Sequence, residues 1–219
     1  MAHVVSAAAG AAATSVTTGA VDTTGANTLL AIVSSDNSTT SAVTDSYGNT
    51  WLPLSGSPIA NTIQTWGYYA AGAKTGPGHT FTATITGGTT NHTTLAVSAF
   101  SGRDPISPIG GAQATFSTGT FVQSQVGGTV TAGANGDLWE GACDPGNQAT
   151  ETFTAGAGWT IGASALSPGS NYQPEMVQYK NAVAAGSVSG PYSTTNYVVT
   201  AGFIVSLRAA STTVVAWLT

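Results

Sequence analysis

Residues 27–35, NTLLAIVSS, form a short apolar run with branched side chains, preceded by Gly-Ala and followed by Asp-Asn-Ser-Thr-Thr. Nine residues with turn-formers on both flanks suit a buried strand better than a helix. The surroundings of this run recur. GAN at 25–27 returns at 133–135, 108 positions later. At that spacing Leu30 meets Leu138, Asp36 meets Asp144, Trp51 meets Trp159, and Val97-Ser98 meets Val205-Ser206. Tryptophan is scarce, so the Trp51/Trp159 match weighs most. A strand-centred unit repeated at one spacing implies a chain built twice on one plan.

The stretches between these landmarks also read as strands. TFTATIT at 80–86 alternates with period two, which predicts Phe81, Ala83 and Ile85 inward and the threonines outward. TIQTWGYYAA at 62–71 places Trp66 and Tyr68 on one face and Tyr69 on the other. DSYGNT at 45–50 is a turn: Gly48 and Asn49 tolerate positive φ, and the Asp45 carboxylate can cap it. Residues 50–54 leave it as a hairpin partner, with Pro53 unpaired or on an edge. Residues 102–119, with two prolines and a glycine pair, read as the connection between the halves. In the second half, strands are expected at 120–125, 136–144, 148–153, 159–166, 172–182 and 197–209, and a closing strand at 213–218. Ten to thirteen strands without an amphipathic helix exclude βαβ units and the cofactor folds built on them.

The expected fold is therefore all-β, an antiparallel β-sandwich of jelly-roll type with two quasi-repeated halves. Residues 1–20, rich in Ala and Thr, are read as an N-terminal arm, with 3–6 as an edge strand. Residues 21–219 are read as one sandwich domain, with halves 21–101 and 120–210 as its facing layers. Neither half has enough large apolar side chains for a core of its own.

Charge removes several functions. Only 6% of the residues are charged, against about 25% in ordinary soluble proteins. Water must be met by Thr, Ser, Asn and backbone. A sheet protein manages this with outward threonines, where a helical one needs charged faces. Four basic residues and a formal net charge of -5 cannot build a phosphate-binding surface, so nucleic acid and anionic membranes are excluded as partners. One cysteine, Cys143, leaves no intrachain disulfide and reads as a small buried thiol. The N-terminus lacks the basic and apolar regions of a secretory signal, so synthesis and folding in the cytoplasm are expected.

No reactive constellation stands out. A glycosidase needs two carboxylates converging on one cleft; Glu140, inside LWEG, and Glu175 are the acids placed within strands. In the duplication Glu140 stands where Ile32 stands, and Arg208 where Phe100 stands, which predicts a structural ion pair between Glu140 and Arg208, with Lys180 a rival partner. His3, His79 and His92 lack ligand spacing. Asp36-Asn37, Asp45…Asn49 and Asp144…Asn147 read as turns and not as calcium loops. No nucleophile elbow or phosphate-cradling motif occurs. No catalytic residue, cofactor or metal is assigned. Aromatic side chains are the best positive signal: Trp66, Tyr68, Trp139 and Tyr172 are the candidate glycan contacts, against core packing.

The order of GANTLLAIVSS, VTDSYGNTWLPL, WGYYAAG, GHTFTATITGG, TTLAVSAFSG, GDLWEGACD, GAGWTIGAS and FIVSLRAA resembles β-sandwich modules of bacteriophage and bacterial surface structural proteins. The most specific piece is Val43-Thr44-Asp45-Ser46 with Gly48-Asn49-Thr50-Trp51. The resemblance implies a jelly-roll building block of a virion surface, a decoration or fibre-head protein without catalytic residues. It also implies a homo-oligomer, with a trimer favoured, that contacts other virion proteins. The alternative reading is a glycan-binding module using surface aromatic residues.

Overall fold

The computed structural model describes residues 2–36, 39–60, 63–87, 92–116, 122–143, 151–168, 174–198 and 201–211. Within them the chain is entirely β. The first half contains β1 (Ala2–Ala11), β2 (Ser15–Thr17), β3 (Thr28–Asp36), β4 (Thr40–Asp45), β5 (Leu52–Pro53), β6 (Ile59–Ala60), β7 (Ile63–Ala71), β8 (Phe81–Thr86) and β9 (Thr93–Ser101). The second contains β10 (Ile109–Phe116), β11 (Val122–Ala132), β12 (Gly136–Cys143), β13 (Phe153–Ala155), β14 (Thr160–Leu166), β15 (Pro174–Val183), β16 (Gly186–Val198) and β17 (Ala201–Leu207).

The duplication is visible in the strand order. The first half has a large sheet, β1-β9-β3-β7-β5, and a small one, β2-β8-β4. The second half has β10-β17-β12-β15-β14 and β11-β16-β13. Setting aside β6, which pairs only with β7, the two orders are the same. All the pairings are antiparallel.

The halves are not the two layers of one sandwich. Each is a sandwich in itself. Leu29, Ala31 and Val33 of β3 join Trp66, Tyr68, Phe81, Ala83, Ile85, Leu95 and Val97 in a core between the first two sheets. Leu138 and Ile204 meet Val130, Ala132 and Trp159 between the second two. A third core, made of Leu30, Ile32, Phe100, Trp139, Val177, Phe203, Val205 and Leu207, lies between the two large sheets. The layers thus run small, large, large, small. Across the junction β1 lies against β14, β3 against β12, β7 against β17 and β6 against β10. β9 also lies against β15, so β7–β17 and β9–β15 are reciprocal under the strand correspondence about β3–β12, whereas the counterpart of β1–β14 is made by β6 in place of β5.

A spacing of 108 is one residue out of step with the side-chain directions. Leu30 faces the junction and Leu138 faces the core of its own half. The true counterpart of Leu30 is Trp139, and that of Phe100 is Leu207; all four face the junction. A one-residue offset moves every side chain of a strand to the other face. Trp51 and Trp159 do share surroundings, each packing on its own half's core.

Several boundaries differ from the sequence reading. Residues 2–11 of the expected arm form β1, paired with β9 along its whole length. The connection shortens to 102–108, because 109–116 is a strand. Residues 50–54 do not fold back on β4: Leu52 and Pro53 cross to the large sheet and pair with β7, where Pro53 sits on the edge. The expected strand at 213–218 and candidate Tyr172 lie outside the described residues.

Candidate functional site

The sequence candidates do not converge. Trp66, Tyr68 and Trp139 are buried, Trp139 completely, so these three form no exposed stacking platform. Trp66 and Tyr68 fill the first core, and the Tyr68 hydroxyl donates to the Ser41 carbonyl (2.7 Å). Glu140 and Arg208 do not pair. Glu140 lies opposite Ile204 on β17 and is buried, while Arg208 is exposed beyond the strand's end and its Nη1 donates to Ser107 Oγ (2.8 Å). The misassignment follows from the one-residue offset above.

Glu140 points into the second sandwich. Gln178 Nε2 donates to its Oε2, and also to the Pro191 carbonyl at 3.0 Å. A side chain at Gly190 would land on the Glu140 carboxyl group. Glu175 points the other way, into the junction. Its Oε2 accepts from Ser34 Oγ (2.7 Å) on β3 and Thr94 Oγ1 (3.3 Å) on β9. Burial pushes both carboxyls up to about 8, against the opposing hydrogen bonds from Gln178 in one case and from Ser34, Thr94 and the Ala96 backbone in the other. Both are neutral acids at pH 7. Two carboxyls on opposite faces of one sheet, each closed to solvent, cannot act as a glycosidase pair.

The histidines are likewise committed to packing. The Asp45 turn forms as the sequence predicts: Oδ1 accepts from Tyr47 N (2.9 Å) and Asn49 N (3.4 Å), and Gly48 has φ 66°. The same carboxylate reaches further, accepting from Trp51 Nε1 (2.7 Å) and lying 3.2 Å from His79 Nε2. Burial favours its neutral form, but these bonds outweigh burial and hold its pKa below the usual value. His79 Nδ1 meets Thr23 Oγ1 at 2.8 Å. This Thr–His–Asp series has a triad's order and none of its access, since Thr23 and His79 are fully buried. His92 contacts Asp36 at 3.3 Å at the far end of β3.

His3 closes a chain of hydrogen bonds across the junction. Trp139 Nε1 donates to Ser98 Oγ (3.1 Å), Ser98 Oγ lies 2.8 Å from Ser6 Oγ, and Ser6 Oγ lies 2.7 Å from His3 Nε2. An indole can only donate. Ser98 Oγ therefore accepts from the indole, while the Ser98–Ser6 and Ser6–His3 hydrogen bonds can each run in either direction. His3 stacks on Tyr179 with centroids 3.7 Å apart. Burial lowers its pKa to about 4, opposed by a hydrogen bond to the Val5 backbone.

The sequence reading missed a buried ion pair between Arg103 and Asp137. Arg103 Nη2 lies 3.2 Å from Asp137 Oδ2, with both side chains buried. Among the described residues, no group of three His, Cys, Asp or Glu side chains could hold a metal ion. Among the same residues no helix is long and apolar enough to cross a membrane. What faces solvent is hydroxyl-rich. On the outer face of the first small sheet Thr17 and Thr82 pair at 2.8 Å, Thr40 pairs with Thr86, and Thr44 and Thr84 are also exposed. Compared with protein-family models, with curated proteins and with solved structures, the chain matches none.

Proposed function

We propose that this chain is a non-enzymatic structural protein, a bacteriophage capsid or tail decoration subunit that works through contacts with copies of itself and with other virion proteins. The observation that carries the reading is where the ionisable groups lie. Asp36, Arg103, Asp137, Glu140, Glu175, His79 and His92 are buried, each in a contact between strands or loops, and the outer small sheet is coated with uncharged hydroxyls. Groups held in internal contacts, beneath a hydroxyl-coated surface, leave such a molecule with rigid faces to present. The strand order supports a jelly-roll ancestry for each half. First-eighth-third-sixth faces second-seventh-fourth, as in a jelly roll whose fifth strand has moved to the other sheet. The reading places the protein on the virion surface and calls for no cofactor.

Antibody labelling tests this reading on particles released by lysis of cells carrying the gene. Label on the particle surface is expected. A chain that stays free of every particle contradicts the proposal.

A further inference from the structure

One pole of the molecule carries two preorganised features. At this pole β17 ends and β12 begins: Leu207 pairs with Asp137, and Gly136 pairs with Val183 of the β15–β16 hairpin. Beside them, the 102–108 connection is tied down by Arg208 N donating to the Pro108 carbonyl (2.7 Å) and Asp104 N to the Arg208 carbonyl (3.1 Å). It presents Ile106 at 89% exposure, the most exposed large apolar side chain described. The peg is held rigid. Asp104 Oδ1 accepts from Ile106 N (2.9 Å) and Ser107 N (3.0 Å), and prolines stand at 105 and 108. Fixing an anchor before association lowers the entropic cost of binding.

The second feature is a groove of about 370 Å³ along the β15–β16 hairpin, lined by Val183, Ala184, Ala185 and Val188 together with the polar Lys180, Asn181 and Ser187. Its volume is ample for one isoleucine side chain. Its rim is fixed through Ala182 N, which donates to Asp137 Oδ1 (2.8 Å). Asp137 therefore steadies both features, the groove through Ala182 and the peg loop through Arg103.

We propose that two copies of the chain pair through this pole, Ile106 of each copy seated in the hairpin groove of the other. The inference rests on the assembly reading above and replaces the expected three-fold symmetry with a two-fold one. Peg and groove share one pole, so a two-fold axis satisfies both contacts at once and closes the assembly. Charge complements the fit: Asp104, beside the peg, already faces Arg208 of its own chain, and Lys180 lines the groove as a second cation for it to meet.

Sedimentation velocity on the full chain tests the pairing. The wild type should dimerise at about tens of micromolar. Ile106→Asp and Ala184→Trp, both at exposed positions, should each weaken the dimer about tenfold or more, while Ile106→Leu keeps it. Circular dichroism unchanged from the wild type confirms that each variant is folded. The decisive sample is an equimolar mixture of Ile106→Asp and Ala184→Trp chains, which retains one intact peg and one intact groove. It should form more dimer than either variant alone. Self-association that survives Ile106→Asp overturns this contact and leaves the assembly reading standing. A wild type that is monomeric to hundreds of micromolar overturns the contact, and the particle-labelling result then decides the assembly reading.

Discussion

Arg103 and Asp137 meet at 3.2 Å with no solvent around them, where the chain leaves the first sandwich and the central strand of the second begins. Asn27 fixes the same point, its side chain bonding the Arg103 carbonyl (2.6 Å) and amide (3.1 Å). The pair ties the halves at their covalent link.

Removing one partner leaves the other charge buried and alone. Arg103→Ala or Asp137→Asn should each cost about 3–5 kcal/mol in urea unfolding. The double variant Arg103→Ala/Asp137→Asn should cost less than the sum of the single changes. Additive losses would mean that the two side chains do not interact.

The buried acids fix a pH dependence. Glu140 and Glu175 hold protons up to about pH 8 when folded and up to about 4.5 when unfolded. Between those values the folded chain binds more protons, so stability falls as pH rises, by up to about 1.4 kcal/mol per unit and per group. His3 acts oppositely: its pKa drops from 6.5 to about 4, so its contribution is lost as pH falls through that window. The midpoint of thermal unfolding should peak near pH 5 and decline toward pH 8. Glu140→Gln and Glu175→Gln should each flatten the decline. At pH 7 the folded chain should carry two fewer negative charges than its formal -5. A flat profile between pH 5 and 8 contradicts the neutral acids.

Gly190 exists for Glu140. An added methyl at Gly190 meets the buried carboxyl that Gln178 already holds, so Gly190→Ala should cost about 1–3 kcal/mol. Combined with Glu140→Ala, the cost of Gly190→Ala should shrink. An unchanged cost in the Glu140→Ala background would mean that the clash lies elsewhere.

Burial keeps the His3 ring neutral well below its usual range. Nitrogen-15 NMR should show a neutral ring down to about pH 4. Ser98→Ala should remove the link to Trp139 and change its indole N–H shift. A midpoint near 6.5 would place His3 in water.

These groups explain which parts of the fold could be read from the sequence. Period two in TFTATIT and the Asp45 turn are local signals, and both formed as expected, with Phe81, Ala83 and Ile85 buried. The strand β16 has no counterpart in the sequence reading, and Gly190 and Pro191 interrupt its pattern. They are there for Glu140 and Gln178, which are distant in sequence. The 108 spacing revealed the duplication but not the side-chain direction, since β12 and β17 are each displaced from it by one residue, in opposite senses. Arg103–Asp137 was illegible for a related reason. Its partners lie in a loop and at a strand end, whose proximity follows only from how the two sandwiches pack. Trp139, read as a sugar contact, fills the junction position that Leu30 holds in the first half.

Amide hydrogen exchange followed by mass spectrometry tests most directly the claim that two equivalent sandwiches are fused through their large sheets. The slowest exchange should fall in β3, β9, β12, β15 and β17 together, at similar protection in both halves, with β2, β4 and β13 faster. Fast exchange in β12, β15 and β17 beside a protected β3 and β9 would show that the junction does not hold, and would contradict the account.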